Sequence, residues 1–332
     1  MVLTRQLIIK GPYSQFGEVV VKACVSLGTD YVDITGEARW VDSMKQKYER
    51  IAKQNGVVLI PFAGHDSVPS DVTSWFTISQ VSSKEMEESH AALITAVKMP
   101  PNSSISNGTL KTLVNYMGTD QYEDPSIPKP RLNGSIFYLK EVPEKHGGPL
   151  VVLPSKLFPD GKIIMDTQNK LQTSRTGVIE SNFGFVLPNR VMAYSTLGFL
   201  KIFPYLLKFP YLSHFLDRMM GSGDGFKFLP TSQQISYSVY GILKVYPLKG
   251  GFGDTPPIET IVTRLDFDRD PYEVTAICCT QISLALCDQN FRTTCPGVEN
   301  GFGFQTPVSG IGGQEILNRC FECVRFQLVS RL

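Results

Sequence analysis

Over the first eighty residues, short apolar runs alternate with stretches whose apolar positions recur three or four residues apart. Leu7, Ile8 and Ile9 form a buried-strand run. Gly11-Pro12-Tyr13 follows as a turn, because Gly accepts positive φ and Pro fixes its own. From Gln15 to Leu27 the positions Phe16, Val19, Val20, Ala23 and Cys24 share one helical face. Tyr31 to Ile34 is a second β-prone run, ended by Thr35-Gly36-Glu37. Val41 to Gln54 predicts a helix with Met44, Tyr48, Ile51 and Ala52 on one side. Val57 to Ile60 is a third strand, closed by Gly64-His65-Asp66-Ser67, with Ser67 and Ser70 as candidate caps of a third helix and Pro69 near its first turn. Strands alternating with helices predict a parallel sheet whose strand carboxyl ends carry the ligand-binding loops.

The remainder is less regular. Ala92 to Met99 reads as a strand and Thr109 to Met117 as a helix. Asp120 to Pro130 is an acidic, Pro-rich loop. Ile136 to Leu139, Val151 to Leu153 and Lys162 to Met165 are short β-like runs. Ile235 to Val245 and Glu259 to Phe267 alternate like antiparallel strands, joined by a Gly-rich loop from Lys249 to Pro257. Pro271 to Cys287 predicts an apolar helix capped at Asp270, and Glu315 to Leu328 a terminal one. Tyr194 to Leu216 is strongly apolar, with Lys201 and Lys208 as its only full charges. Pro204 and Pro210 would break a spanning helix twice, and both lysines would lie near the bilayer centre. A surface-lying membrane element, a buried hairpin and a dimer contact stay open for it.

Composition narrows the class. Among 332 residues, 32 Lys and Arg face 31 Asp and Glu, a net charge of +1; 42% of residues are hydrophobic and 19% charged. This excludes a disordered chain and a coiled coil, and argues against a nucleic-acid backbone as partner, which requires a basic surface. The length suggests about two domains. Seven cysteines, an odd number, imply no disulfide framework and a reducing compartment. Cys320-x-x-Cys323 has no second pair to complete a zinc site, so no metal is expected. Met1 to Lys10 is too short and polar for a signal peptide, and the three N-x-S/T sequons (Asn102, Asn107, Asn133) are read as chance.

The segments GPYSQFGEVVVKACVSLGTDYVDITGE and KYERIAKQNGVVLIPFAGHDSVPSD resemble the middle of the saccharopine dehydrogenase-like oxidoreductases. Gly11 to Asp71 follows that pattern almost without gaps. Asp270-Pro271-Tyr272 and the run Gly303 to Pro307 resemble its ending. The resemblance implies a nicotinamide-binding Rossmann domain, a larger mixed-sheet domain, and NAD or NADP as cofactor. By resemblance, Gly11, Pro12 and Tyr13 line the nicotinamide side. Family members begin with a Gly-rich βαβ segment, whereas this sequence opens at the strand that ends in GPY, and no complete G-x-G-x-x-G stands elsewhere.

The expected fold is therefore α/β: a partial Rossmann-type parallel sheet with its first half missing, plus a larger mixed α+β domain. Its divisions are a nucleotide-domain remnant over 1–80, a substrate or dimer domain over 81–300, and a segment over 301–332 packing back on the first. Without the pyrophosphate grip, dinucleotide affinity should fall on the order of 10³-fold or more.

Asp33, Glu37 and Asp66 stand at strand ends where a carboxylate could orient substrate or move a proton. The structural alternatives are that Asp33 braces its turn, Glu37 caps the helix starting near Ala38, and Asp66-Ser67 forms a helix-capping turn. His65 beside Asp66 suggests a base, although neighbours in an extended loop point apart. Two functions stay open: an oxidoreductase acting on a small-molecule or lipid-linked imine or carbonyl, and a non-catalytic protein binding a membrane or partner through 194–216. A homodimer is compatible with either. The expected location is intracellular: cytoplasmic, mitochondrial, membrane-associated or on lipid droplets.

Overall fold

A computed structural model describes residues 5–8, 13–81, 89–98, 136–138, 149–152, 160–171, 179–206, 237–247, 256–321 and 325–331. The expected helix over 109–117, the acidic loop, Gly11, Pro12, most of the Gly-rich loop and the end of the 194–216 segment lie outside these residues.

The small sheet is wholly parallel. Strands β1 (Arg5–Ile8), β2 (Asp30–Asp33) and β3 (Val58–Ile60) lie side by side, and β10 (Gly303–Phe304) adds itself beyond β3. Helices α1 (Tyr13–Leu27) and α2 (Ala38–Gln54) supply the crossovers. Side-chain alternation divides the sheet between two cores. Tyr31 and Leu59 pack with Val21, Val25, Trp40 and Met44 beneath α1 and α2. Val32, Val58 and Ile60 pack against the opposite layer, which includes Val274, Cys278 and Ile282 of α6 (Pro271–Cys287). That helix starts as its sequence predicts: the Asp270 carboxylate accepts from the Tyr272 N–H at 2.8 Å, with Pro271 in the first turn.

The large sheet has seven strands in the order β11 (Arg325–Arg331), β9 (Glu259–Phe267), β8 (Tyr237–Pro247), β4 (Ser89–Lys98), β7 (Ile179–Val186), β6 (Pro149–Val152) and β5 (Ile136–Tyr138). Only β4 and β7 run parallel. The chain thus joins a Rossmann-type parallel sheet to a larger mixed one.

Helix α3 (Val68–Ser79) connects them, leaving β3 and lying on the large sheet. Thr77 Oγ1 meets Thr263 Oγ1 at 2.6 Å, and Ser74 Oγ meets Thr95 Oγ1 at 2.7 Å. A Cβ on Gly241 of β8 would collide with Thr77 Oγ1, so the bare backbone there lets the helix approach.

Two expectations are corrected. Lys162 to Met165 is not a strand but part of helix α4 (Asp160–Leu171). Its buried positions Asp160, Ile163, Ile164, Thr167 and Gln168 recur at helical spacing, which a four-residue apolar run cannot reveal. The terminal helix does not reach Leu328. Helix α10 (Gly313–Cys320) ends at Cys320, and the chain continues as β11, Phe326 facing Leu265 across the edge of β9. The last thirty residues therefore serve both sheets, through β10 and β11.

Candidate functional site

The carboxyl ends of β2 and β3 carry the loops Ile34–Glu37 and Pro61–Ser67, and Asp33 ties them together. Fully buried, Asp33 accepts through Oδ1 from the Thr35 N–H at 2.9 Å and the Phe62 N–H at 3.3 Å, and through Oδ2 from the Tyr31 hydroxyl at 2.6 Å. The Asp33 carbonyl accepts from the Ala63 N–H as well. Phe62 takes a φ of 65° to present its N–H, a conformation uncommon for a bulky residue. Burial pushes the Asp33 carboxyl up to about 7, against the pull of its three hydrogen bonds.

Tyr13 opens α1 beside this carboxylate. Its ring packs on Trp40 at 5.6 Å between centroids, and its hydroxyl meets the backbone of Ile34. Burial, reinforced by Asp33, holds the phenol protonated well above its ordinary range.

Glu37 does not cap the helix that it precedes, and no side-chain cap bond is made at the start of α2. Its carboxylate turns back to α1, accepting from the Tyr13 N–H at 2.7 Å and the Ser14 N–H at 3.1 Å. A helix amino terminus attracts an anion, and here the chain provides its own.

Asp66 and Ser67 do form the turn that leads into α3, closed by backbone groups. Ser67 holds the capping position of α3 without a side-chain bond, and the turn is closed by the Ser67 and Val68 N–H groups on the Gly64 carbonyl. The Asp66 side chain is 71% exposed and that of His65 only 11%, with Nδ1 of His65 at 3.6 Å from Asp66 Oδ1. The two side chains therefore do not point apart, and the ring stays in reach of the carboxylate. The imidazole meets Tyr237, at the start of β8, edge to face at 4.9 Å between centroids. His65 thereby bridges the two sheets.

Three further buried groups have no role in the sequence reading. Asp71 of α3 accepts from Thr167 Oγ1 at 2.6 Å and from the Val308 N–H at 3.0 Å, joining α3 and α4 to helix α9 (Pro307–Ile311). Burial raises its carboxyl to about 7. Burial likewise holds the Asp160 carboxyl above its ordinary range, with Asp66 adding to the effect. Asp71 stood within the GHDSVPSD run; Tyr237 had no local signal, its meaning arising only from contact with His65. Between α3 and α4 a cleft of about 220 Å³ is lined by Asp71, Trp75, Ile78, Thr167 and Leu171. Among the described residues no three His, Cys, Asp or Glu side chains converge as a metal site. Cys320 is buried, and Cys323 lies outside the described residues.

These residues do not fit the pyrophosphate of a dinucleotide. The α1 amino terminus is filled by Glu37, whose carboxylate already takes the Tyr13 and Ser14 N–H groups, so a diphosphate placed there would meet an anion rather than free donors.

A parallel sheet with crossover helices, docked through its strand-end loops on a mixed sheet, defines an α/β protein with a Rossmann-type first sheet. No family model matches the chain. A Caenorhabditis elegans protein named lipid droplet localized protein is 39% identical over 105 residues, covering 31% of this chain and 24% of that protein. A saccharopine dehydrogenase-like oxidoreductase of Mus musculus is 35% identical over 134 residues, covering 40% and 29%. The chain thus spans under a third of the length of these relatives. The structure of apo saccharopine dehydrogenase (L-Glu forming) from Saccharomyces cerevisiae superposes with a TM-score of 0.54 at 10% identity, covering 98% of this chain and 85% of that one, a likeness of fold alone. This chain is related to the saccharopine dehydrogenase-like oxidoreductases.

Proposed function

We propose that the protein is an oxidoreductase acting on a carbonyl or imine group of a lipid-linked substrate, with NAD or NADP as the redox partner. The carrying observation is that the loop after β3 meets the first residue of β8, His65 on Tyr237. The ligand-binding edge of the parallel sheet is thereby closed by the second sheet, the arrangement in which α/β sheets bind ligands. Asp33 fixes the two loops, and Tyr13 lies on the side that the family resemblance gives to nicotinamide. The kinship with saccharopine dehydrogenase-like proteins supports the reaction class, and the lipid droplet relative supports the substrate class.

With no phosphate grip among these residues, the dinucleotide is held weakly by this chain. Titration with NADPH or NADH, followed by nicotinamide fluorescence, is expected to give millimolar binding, on the order of 10³-fold weaker than a micromolar complex. Micromolar binding would overturn the weak grip. NADPH-dependent consumption of a medium-chain ketone such as 2-octanone tests the activity itself; its absence at saturating NADPH would refute the oxidoreductase reading.

A second reading rests on helix α5 (Arg190–Leu206). Ala193 and Leu200 are its buried positions, while Val191, Tyr194, Phe199, Ile202 and Tyr205 are 54% to 75% exposed. Its only charged residues, Arg190 and Lys201, are cationic. An apolar outer face with basic residues suits the surface of an anionic lipid layer. No helix among the described residues is long and apolar enough to cross a membrane. Flotation with phosphatidylcholine–phosphatidylserine vesicles is expected, and should be lost when Phe199 and Ile202 are both changed to Glu. Equal flotation of the variant would remove α5 as the contact.

A further inference from the structure

Among the described residues eight buried side-chain polar atoms have no hydrogen-bond partner, and two of them belong to rings in contact: His65 Nε2 and the Tyr237 hydroxyl. Buried polar groups are paired as a rule, and exceptions call for a reason such as a functional role. Here two exceptions fall together, one on the strand-end loop of the small sheet and the other on the large sheet.

Each is fixed from behind. The His65 N–H donates to Thr275 Oγ1 at 3.0 Å, holding the loop on α6. The imidazole Nδ1 faces Asp66 at 3.6 Å, which leaves Nε2 as the atom turned inward. The Tyr237 ring is stacked on Phe267 at 4.6 Å and 5°, and Phe267 is braced edge to face by Phe321. Neither ring can turn to find another partner without losing this packing. The loop that carries His65 also reaches solvent, through the largely exposed side chain of Asp66.

We propose that His65 Nε2 and the Tyr237 hydroxyl together bind the oxygen-bearing group of a neutral ligand, a ketone or the corresponding alcohol. This rests on the oxidoreductase reading and adds to it the residues that receive the substrate oxygen. A phenol in this surrounding remains protonated, raised by burial first and then by Cys278, Asp270 and Asp66, so it donates to a carbonyl oxygen. The imidazole Nε2 beside it takes the second hydrogen bond, accepting from an alcohol or donating to a ketone. The acidic neighbours Asp66 and Asp270 disfavour an anionic ligand. The requirement for a hydrogen bond from a buried donor gives the selectivity, because a hydrocarbon of the same shape would leave both atoms unpaired.

The test uses the full chain without cofactor and 2-octanone as the probe. Ring resonances of the four histidines are followed by NMR, and the His65 signal is assigned by its loss in His65→Phe. Saturable movement of that signal is expected with 2-octanone and not with n-octane. Tyr237→Phe keeps the ring and its stack on Phe267, and is expected to weaken ketone binding at least tenfold with an unchanged far-ultraviolet spectrum. No saturable movement, or equal binding by Tyr237→Phe, would overturn the proposal. The two ideas separate cleanly. Ketone binding without NADPH-dependent turnover would leave the site standing and sink the oxidoreductase reading. Turnover that persists undiminished in Tyr237→Phe would do the reverse.

Discussion

Asp33 shows how one buried carboxylate can replace a longer set of contacts. Its Oδ1 receives two backbone donors from different loops and its Oδ2 receives a phenol. Asparagine can keep the first two through its carbonyl oxygen, while its amide donates to a Tyr31 hydroxyl that has turned around. Asp33→Asn is therefore expected to fold with less than about 1 kcal/mol lost. Asp33→Ala would strand the Thr35 and Phe62 N–H groups in the interior, at a cost of about 2–4 kcal/mol at the usual penalty for unpaired buried donors. Urea unfolding of the two variants checks the contrast, and equal losses would count against Asp33 as the tie between the loops. Tyr237→Phe should behave in the opposite sense, since it removes a buried hydroxyl that has no protein partner. Its melting temperature is expected to be unchanged or a few degrees higher. A fall of several degrees would show that the hydroxyl is engaged structurally.

At the level of elements, the small sheet is clamped by a short helix, α7 (Gln289–Thr294), through Arg292. The guanidinium takes Asp30 with Nε at 2.7 Å and a terminal nitrogen at 3.0 Å, and donates also to the Gly56 carbonyl at 2.7 Å. Asp30, at the start of β2, accepts in addition from the Val58 N–H of β3 at 2.8 Å. Arg292→Met would leave a buried carboxylate without its cation, and a loss of about 3–5 kcal/mol is expected by denaturant titration. A loss below about 1 kcal/mol would mean that solvent replaces the guanidinium there. Neither partner stands out in the sequence, because the pair joins positions far apart. What was legible is what local chemistry decides: α6 begins at Asp270-Pro271, and β9 follows the expected alternation. What was not legible depends on neighbours. The run Ile163-Ile164-Met165 suits strand or helix equally, and burial at 160, 163, 164, 167 and 168 settles it. The residues after Cys320 had a strand edge to join, and pairing with β9 prevailed over continuing the helix.

Across the whole molecule, the acidic groups gathered near the junction of the sheets make stability depend on pH in an unusual sense. Sequence reading found Asp33, Glu37 and Asp66 because they stand at strand ends; only the fold separates Asp33, sealed within, from Glu37, spent on a helix terminus, and from exposed Asp66. Asp71 and Asp160 join Asp33 as buried carboxyls, all raised chiefly by burial, the first and third to about 7 counting Asp71 and Asp33. An unfolded chain releases such protons near pH 4, whereas the folded chain holds those of Asp33 and Asp71 until about pH 7. The folded state thus binds more protons across that window, and its stability falls as the pH rises through it. A shift from 3.8 to about 7 corresponds to at most about 4 kcal/mol for each of Asp33 and Asp71. The protein is expected to be more stable at pH 5 than at pH 7.5, where surface carboxylates are ionised at both values and contribute little to the difference. Asp33→Asn should remove part of that slope, and Asp71→Asn, in which an amide must face the Val308 N–H or the Thr167 hydroxyl, should remove another part while lowering stability at pH 5. Urea midpoints measured at half-unit steps from pH 4.5 to 8 give the curve directly. A midpoint that rises steadily towards pH 8 would mean that the hydrogen bonds to these carboxylates outweigh their desolvation, and the interior would then be holding them as anions.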